Sequence, residues 1–154
     1  MTVRLAGAAD LETVIQLERA TAEAPHWAEA EYAAMLAAAS GAVKRALFVA
    51  EGESGLIGFA VGKVIGIGSE SSSELESVAV AASARRAGVG RALCEAVIDW
   101  CRAQGAAAIE LEVRAASVGA IALYSGLGFV VEGRRPRYYQ EPVDDAVLMR
   151  LKLA

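Results

Sequence analysis

A run that ends in Val78-Ala79-Val80 reads as a strand, and after a short loop comes Arg85-Arg86-Ala87-Gly88-Val89-Gly90-Arg91, which opens a helical pattern. Gly88 and Gly90 let the main chain come close to a ligand and take dihedral angles that other residues resist. The first turn of a helix leaves N–H groups unpaired, and its dipole is positive at that end. Together these features make a cradle for a pyrophosphate, and Arg85, Arg86 and Arg91 add positive charge around it. Two glycines could also simply shape a loop. A dinucleotide fingerprint would need a third glycine and an acidic residue about 20 positions on, at the end of the next strand. The third glycine is missing, so that reading is poor.

The elements that position this turn follow from periodicity. Residues 2–6 read as a short strand. Asp10 stands as an N-cap before a helix over 10–23 with Leu11, Val14 and Ile15 on one face, ended by Pro25. A second helix runs over 29–39. Two strands, 46–51 and 56–66, flank a turn at Glu51-Gly52-Glu53-Ser54-Gly55. A polar Gly/Ser loop leads to a strand over 74–80, and alternation puts Glu76 on one face with Val78 and Val80. A helix over 86–104 comes next, with Arg91, Glu95, Asp99 and Arg102 facing water and Leu93, Ala96, Val97 and Trp100 facing the core. Then come a strand at 107–113, a helix at 117–125, and strands at 127–133 and 145–152. This order describes one mixed α/β domain over residues 1–154, with helices covering the sheet.

Composition narrows the function. The chain has 154 residues and a net charge of −4 with both signs interspersed. That speaks against a nucleic-acid binder, which would carry a basic face. No apolar run is long enough to span a bilayer, and Met1-Thr2-Val3-Arg4 does not begin a signal peptide, so the expected location is the cytoplasm, with no membrane partner. Cys94 and Cys101 are seven apart in one helical pattern, ~10 Å at helical rise, too far for a disulfide. They read as buried apolar residues. His26 is the only histidine and has no partner motif, so no metal site is expected.

Arg85, Gly88 and Gly90 occupy the fixed places of a Gln/Arg-x-x-Gly-x-Gly/Ala signature, and the segment resembles the acetyl-CoA-binding motif of the GNAT superfamily of N-acetyltransferases. The likeness continues through Leu111-Glu112-Val113-Arg114-Ala115, Ala120-Ile121-Ala122-Leu123-Tyr124, Gly126-Leu127-Gly128-Phe129, Arg134-Arg135-Pro136-Arg137-Tyr138-Tyr139 and Asp144-Asp145-Ala146. This succession is similar to the bacterial ribosomal-protein-alanine N-acetyltransferases of the RimI type. It covers roughly residues 74–150, with a weaker match at Trp27, Glu29 and Tyr32. The resemblance implies a GNAT fold: a mixed, mostly antiparallel sheet, splayed in its middle and flanked by helices, with acetyl-CoA in the wedge.

Acetyl transfer makes two demands. The amine must lose a proton to attack the thioester, and the departing thiolate is helped by a proton donor. By resemblance, Glu112 is the general base and Tyr124 the general acid. Glu112 could instead be a solvated strand carboxylate, and Tyr124 a core aromatic against Phe129. Glu76 is the rival base. Ser117 stands where the resembling enzymes have asparagine; it can cap the helix, but its shorter reach alters the cofactor contact. Arg137, Tyr138 and Tyr139 either line the path of a peptide or form a turn between the last two strands. The resemblance implies direct transfer in a ternary complex, with a protein N-terminus as the acceptor. Acetylation of a small amine such as a polyamine or antibiotic, and a non-catalytic acetyl-CoA-binding module, are the alternatives. A monomer or a homodimer is expected.

Overall fold

The computed structural model describes residues 1–21, 24–36, 42–66, 71–85 and 87–153. Along the chain come β1 (Thr2–Leu5), α1 (Leu11–Ala20), α2 (Glu29–Ala34), β2 (Val43–Gly52), β3 (Gly55–Ile65) and β4 (Ser72–Val80). They are followed by α3 (Val89–Ala103), β5 (Ala108–Arg114), α4 (Val118–Gly126), β6 (Val130–Gln140) and β7 (Val143–Lys152). The seven strands form one sheet in the order β1-β2-β3-β4-β5-β7-β6. Every neighbouring pair is antiparallel except β4 and β5, which are parallel and meet at the single register pair Glu74↔Glu110. Beyond that pair β4 runs on to Val80 and β5 to Arg114 without pairing to each other, so the sheet parts in its middle. The expected splayed, mostly antiparallel sheet is the one observed.

Helix α3 covers one face. Gly88 holds a left-handed conformation at its N-cap, φ 80° and ψ 8°, which is why the helix begins at Val89 rather than at residue 86. Val89, Leu93, Cys94, Val97, Ile98 and Cys101 are buried, and burial of each large aliphatic among them contributes about 1.5–3 kcal/mol. At the far end Gly105 is again left-handed. The Ala106 N–H reaches the Cys101 carbonyl at 3.1 Å and the Gly105 N–H that of Arg102 at 3.0 Å. That paired closure satisfies the last carbonyls and stops the helix. The cysteines are free thiols, as the helical spacing requires.

The helix can lie close to β3 because the strand presents glycine beneath it. A Cβ at Gly62 would sit 2.8 Å from Val97 Cγ1 and 3.2 Å from the Trp100 ring. Gly62→Ala is therefore expected to destabilise the fold by about 1–3 kcal/mol through overpacking; urea unfolding of the two proteins checks it, and an unchanged midpoint would show that the helix yields freely.

On the other face α1 and α2 pack with Leu47, Val49, Phe59, Val61 and Ala79 around Val14 and Tyr32. Helix α1 stops at Ala20, well before Pro25, because Thr21 turns extended and its hydroxyl donates to the Leu17 carbonyl at 2.9 Å. Asp10 precedes α1 but does not cap it with its side chain. Its carboxylate accepts from the Gly7 N–H and from Arg4 instead, and these bonds hold its pKa down to about 2. Helix α2 ends at Ala34; residues 37–39, expected to continue it, lie outside the described residues.

Two strand expectations change. Val61 pairs with Ser77 and Gly62 with Leu75, so Glu76 is an unpaired bulge residue. The bulge reverses the alternation. Val78 and Val80 pack under α3, whereas Glu76 turns to the α1–α2 side, where it meets Arg45. Glu76 therefore does not share a face with Val78 and Val80. In β6, Arg137, Tyr138 and Tyr139 belong not to a turn before β7 but to the strand, which runs on to Gln140. Its register slips between Arg135 and Tyr139, and Arg137 is left-handed with φ 52°.

Candidate active site

The gap between β4 and β5 opens into a cavity of about 470 Å³. Glu76, Val78, Ala79 and Val80 line it from β4, Arg85 from the following turn, and Glu112 from β5. Ser117 and Tyr124 close it from α4, Tyr139 from β6, and Thr21 and Pro25 from the end of α1. Seven of the residues singled out in the sequence as catalytic or cofactor-binding thus meet in one space: Val78, Ala79, Val80, Arg85, Glu112, Ser117 and Tyr124.

The others have more particular placements. A side chain at Gly88 would meet no protein atom within 4 Å, so the space over the turn is open, while its positive φ requires glycine. Gly90 lies under Leu123 and Val80, with its missing Cβ 3.4 Å and 3.7 Å from them. The Val89 side chain is buried in the core, which leaves only its main chain to meet a ligand; the same holds for Ala79. The N–H groups of this first turn have no preceding turn to accept them. Arg91 is exposed and pairs with Glu95 at 3.4 Å. Ala87 is exposed, and Arg86 lies outside the described residues.

Glu112 is partly exposed, and its Oε1 lies 3.5 Å from Arg135 Nη2. It also borders a smaller cavity of about 160 Å³ with Glu74, Glu110, Lys63 and Arg135. Burial, reinforced by Glu76, raises the pKa of Glu74. Glu76 itself is differently held: Arg45 grips both of its oxygens, Nε to Oε1 at 2.9 Å and Nη2 to Oε2 at 3.0 Å. Of the two carboxylates, Glu112 carries the looser contact.

Tyr124 packs edge-on against Phe129, ring centroids 5.9 Å apart. Burial is the main cause that lifts its phenol above the usual tyrosine pKa, with Cys94 and Tyr139 adding to it. It keeps its proton across the neutral range and can act only as a donor there. Tyr139 also lines the cavity, with the Arg114 guanidinium 4.2 Å from its ring centre. Burial and then Glu112 raise its pKa. Tyr138 does not line the cavity and is half exposed. Ser117 sits at the N-cap of α4 but makes no side-chain capping bond, so its hydroxyl is not spent on the helix. His26 Nε2 lies 3.0 Å from the Thr21 carbonyl oxygen, a loop contact.

Cys94 and Cys101 do not line the cavity among the described residues. Burial pushes their thiols up to about 12 and about 11, which suppresses the nucleophilic thiolate. Among the described residues no cluster of His, Cys, Asp and Glu is arranged to hold a metal ion, and no helix is long and apolar enough to cross a membrane. Thr21 and Pro25 are wall residues that sequence reasoning missed, since nothing in their local pattern marks them, and Arg114, named there only within the Leu-Glu-Val-Arg stretch, lines the wall as well.

Comparison with known proteins agrees with this geometry. The ribosomal protein bS18-alanine N-acetyltransferase of Escherichia coli (strain K12) is 42% identical over 82 residues, 52% of this chain and 55% of that protein. The catalytic subunit of the N-terminal acetyltransferase B complex of Schizosaccharomyces pombe is 33% identical over 87 residues, 56% of this chain and 48% of its own length. The chain thus spans about half the length of the curated relatives it matches. The crystal structure of the ribosomal-protein-S18-alanine N-acetyltransferase from Escherichia coli superposes with a TM-score of 0.79 at 29% identity, covering 99% of this chain and 94% of that one. The sequence model of the acetyltransferase (GNAT) family matches residues 11–129, and with the sheet parted between β4 and β5, the chain belongs to the GNAT acetyltransferase family.

Proposed function

We propose that the protein transfers the acetyl group of acetyl-CoA to the α-amine of a protein N-terminus. The observation that carries this reading is the larger cavity at the parting of β4 and β5, lined at once by the start of the glycine turn, a loosely held carboxylate and a protonated phenol. The turn from Arg85 to Arg91 fits a pyrophosphate, with a left-handed glycine, a helix N-terminus and two described arginines. Its residues 78–80, 85–91 and Ser117 would hold the co-substrate.

The amine nitrogen attacks the thioester carbonyl, a C–N bond forms and the C–S bond breaks. The amine's proton passes to the Glu112 carboxylate. The departing sulfur takes the proton of the Tyr124 hydroxyl and leaves as a thiol. The raised thiol pKa values and the position of both cysteines favour this direct transfer over an acetyl-cysteine intermediate. The relatives named for alanine and N-terminal acetylation support a peptide acceptor.

Mass spectrometry of alanine-starting peptides incubated with the protein and acetyl-CoA tests the reading. Acetylation at the α-amine supports it. Acetylation of polyamines alone, or no product with any amine, overturns it.

Ser117→Asn is expected to lower the KM for acetyl-CoA about fivefold, through one added hydrogen bond of ~1 kcal/mol from the longer side chain. Initial rates over a range of acetyl-CoA decide this; an equal or higher KM would show that the serine hydroxyl already suffices.

A further inference from the structure

On the α1–α2 side of the sheet a guanidinium to which the proposed chemistry gives no role joins β2, β4 and α2. Arg45 of β2 is 24% exposed. Beyond its two bonds to Glu76, its Nη1 donates to Glu31 Oε2 of α2 at 2.7 Å. Its charge also lies 5.3 Å from the ring centre of Trp27, a cation–π distance. Trp27 in turn sits 5.7 Å from the Tyr32 ring, and its carbonyl accepts from Arg19 Nη2 at 2.7 Å. Tyr32 donates to the fully buried Glu18 at 2.8 Å.

One of the groups so tied lines the cavity, and two others lie next to its wall in the chain. Glu76 is the bulge residue of β4 and lines it directly. Trp27 and Glu31 hold the segment after Pro25, and Pro25 is part of the cavity wall. The glycine turn and α3 lie on the opposite face and share no hydrogen bond, ion pair or ring contact with Arg45 among those described. The planar fork suits this task, since it meets one carboxylate with two parallel bonds and still stacks on an aromatic ring; an ammonium offers one point of charge.

We propose that Arg45 is a positioning residue for the acceptor: by clamping Glu76 at the bulge to Glu31 and Trp27, it sets the α1–α2 wall against the cavity floor and so governs acceptor binding, not acetyl-CoA binding. This rests on the acetyl-transfer reading and names a residue that acts through its neighbours.

The test measures initial rates with acetyl-CoA and an alanine-starting peptide. Arg45→Gln is expected to raise the peptide KM at least tenfold, with kcat and the acetyl-CoA KM changed less than threefold. Arg45→Lys should recover only part of the loss, and it is the variant to read if the glutamine protein does not fold. Glu76→Gln should raise the same KM, and the double variant should be no worse than Arg45→Gln alone, because the two act as one unit. A readout independent of turnover is acrylamide quenching of Trp27 in a Trp100→Phe background, expected to at least double on Arg45→Gln. Unchanged peptide KM and unchanged quenching would overturn the clamp. So would an acetyl-CoA KM that rises as much as the peptide KM, or single losses that multiply in the double variant. A parent protein that transfers no acetyl group would sink the functional reading alone, and the quenching arm would still decide the clamp.

Discussion

Glu112→Gln is expected to lower turnover at neutral pH by about 10²–10⁴-fold, the usual contribution of a positioned general base, while acetyl-CoA affinity stays near parental. The substitution keeps the shape of the side chain and removes the proton acceptor. Glu112 suits the role because its one described charged contact, Arg135 at 3.5 Å, leaves it available to an incoming amine. Both oxygens of Glu76 are already engaged by shorter bonds to Arg45. An α-amine titrates near pH ~8, so above that value most of it is already neutral and needs no base. Part of the loss should therefore return as pH rises. Activity–pH profiles of the parent, Glu112→Gln and Glu76→Gln separate the two carboxylates. If Glu112→Gln keeps near-parental kcat while Glu76→Gln loses it, the base is Glu76.

Tyr124→Phe should also cost about 10²–10⁴-fold in turnover, with the opposite response to pH. The missing group is a donor to the departing sulfur, and raising pH supplies no donor, so no rescue is expected. The sign follows from burial. A tyrosine phenol ordinarily titrates near ~10, and the surroundings of Tyr124 shift it upward. The parent should consequently show no fall in activity from this group up to pH ~10. Loss of activity with a midpoint well below that value, absent from Tyr124→Phe, would mean that the phenol titrates freely and is not the shielded donor described. Near-parental turnover of Tyr124→Phe would assign the residue to packing against Phe129 alone.

The proposed cofactor side of the site is legible in the amino-acid sequence because it is local in the chain. A strand, a left-handed glycine and a helix N-terminus are consecutive, and backbone sterics at Gly88 dictate where α3 starts. The buried and exposed stripes of α3 follow from its period for the same reason. Glu112 and Tyr124, on the next two elements, stand out through the resemblance to GNAT enzymes, and the tertiary structure places both on one cavity.

What the sequence could not decide is whatever depends on register between distant strands. Strict alternation would put Glu76 beside Val80; the unpaired position opposite Val61 and Gly62 turns it to the other face and into the grip of Arg45, 31 residues away. Tyr139 reaches the cavity and Tyr138 does not, and a register slip next to a left-handed Arg137 sits just before them. Thr21 and Pro25 line the cavity from beyond the end of α1, which stops at Ala20. The short-range pattern of the sequence thus set the elements and the chemistry they carry. The long-range pairing of β3 with β4 and of β6 with β7 chose which side chains face the cavity, because a one-residue shift in a strand sends each following side chain to the opposite face.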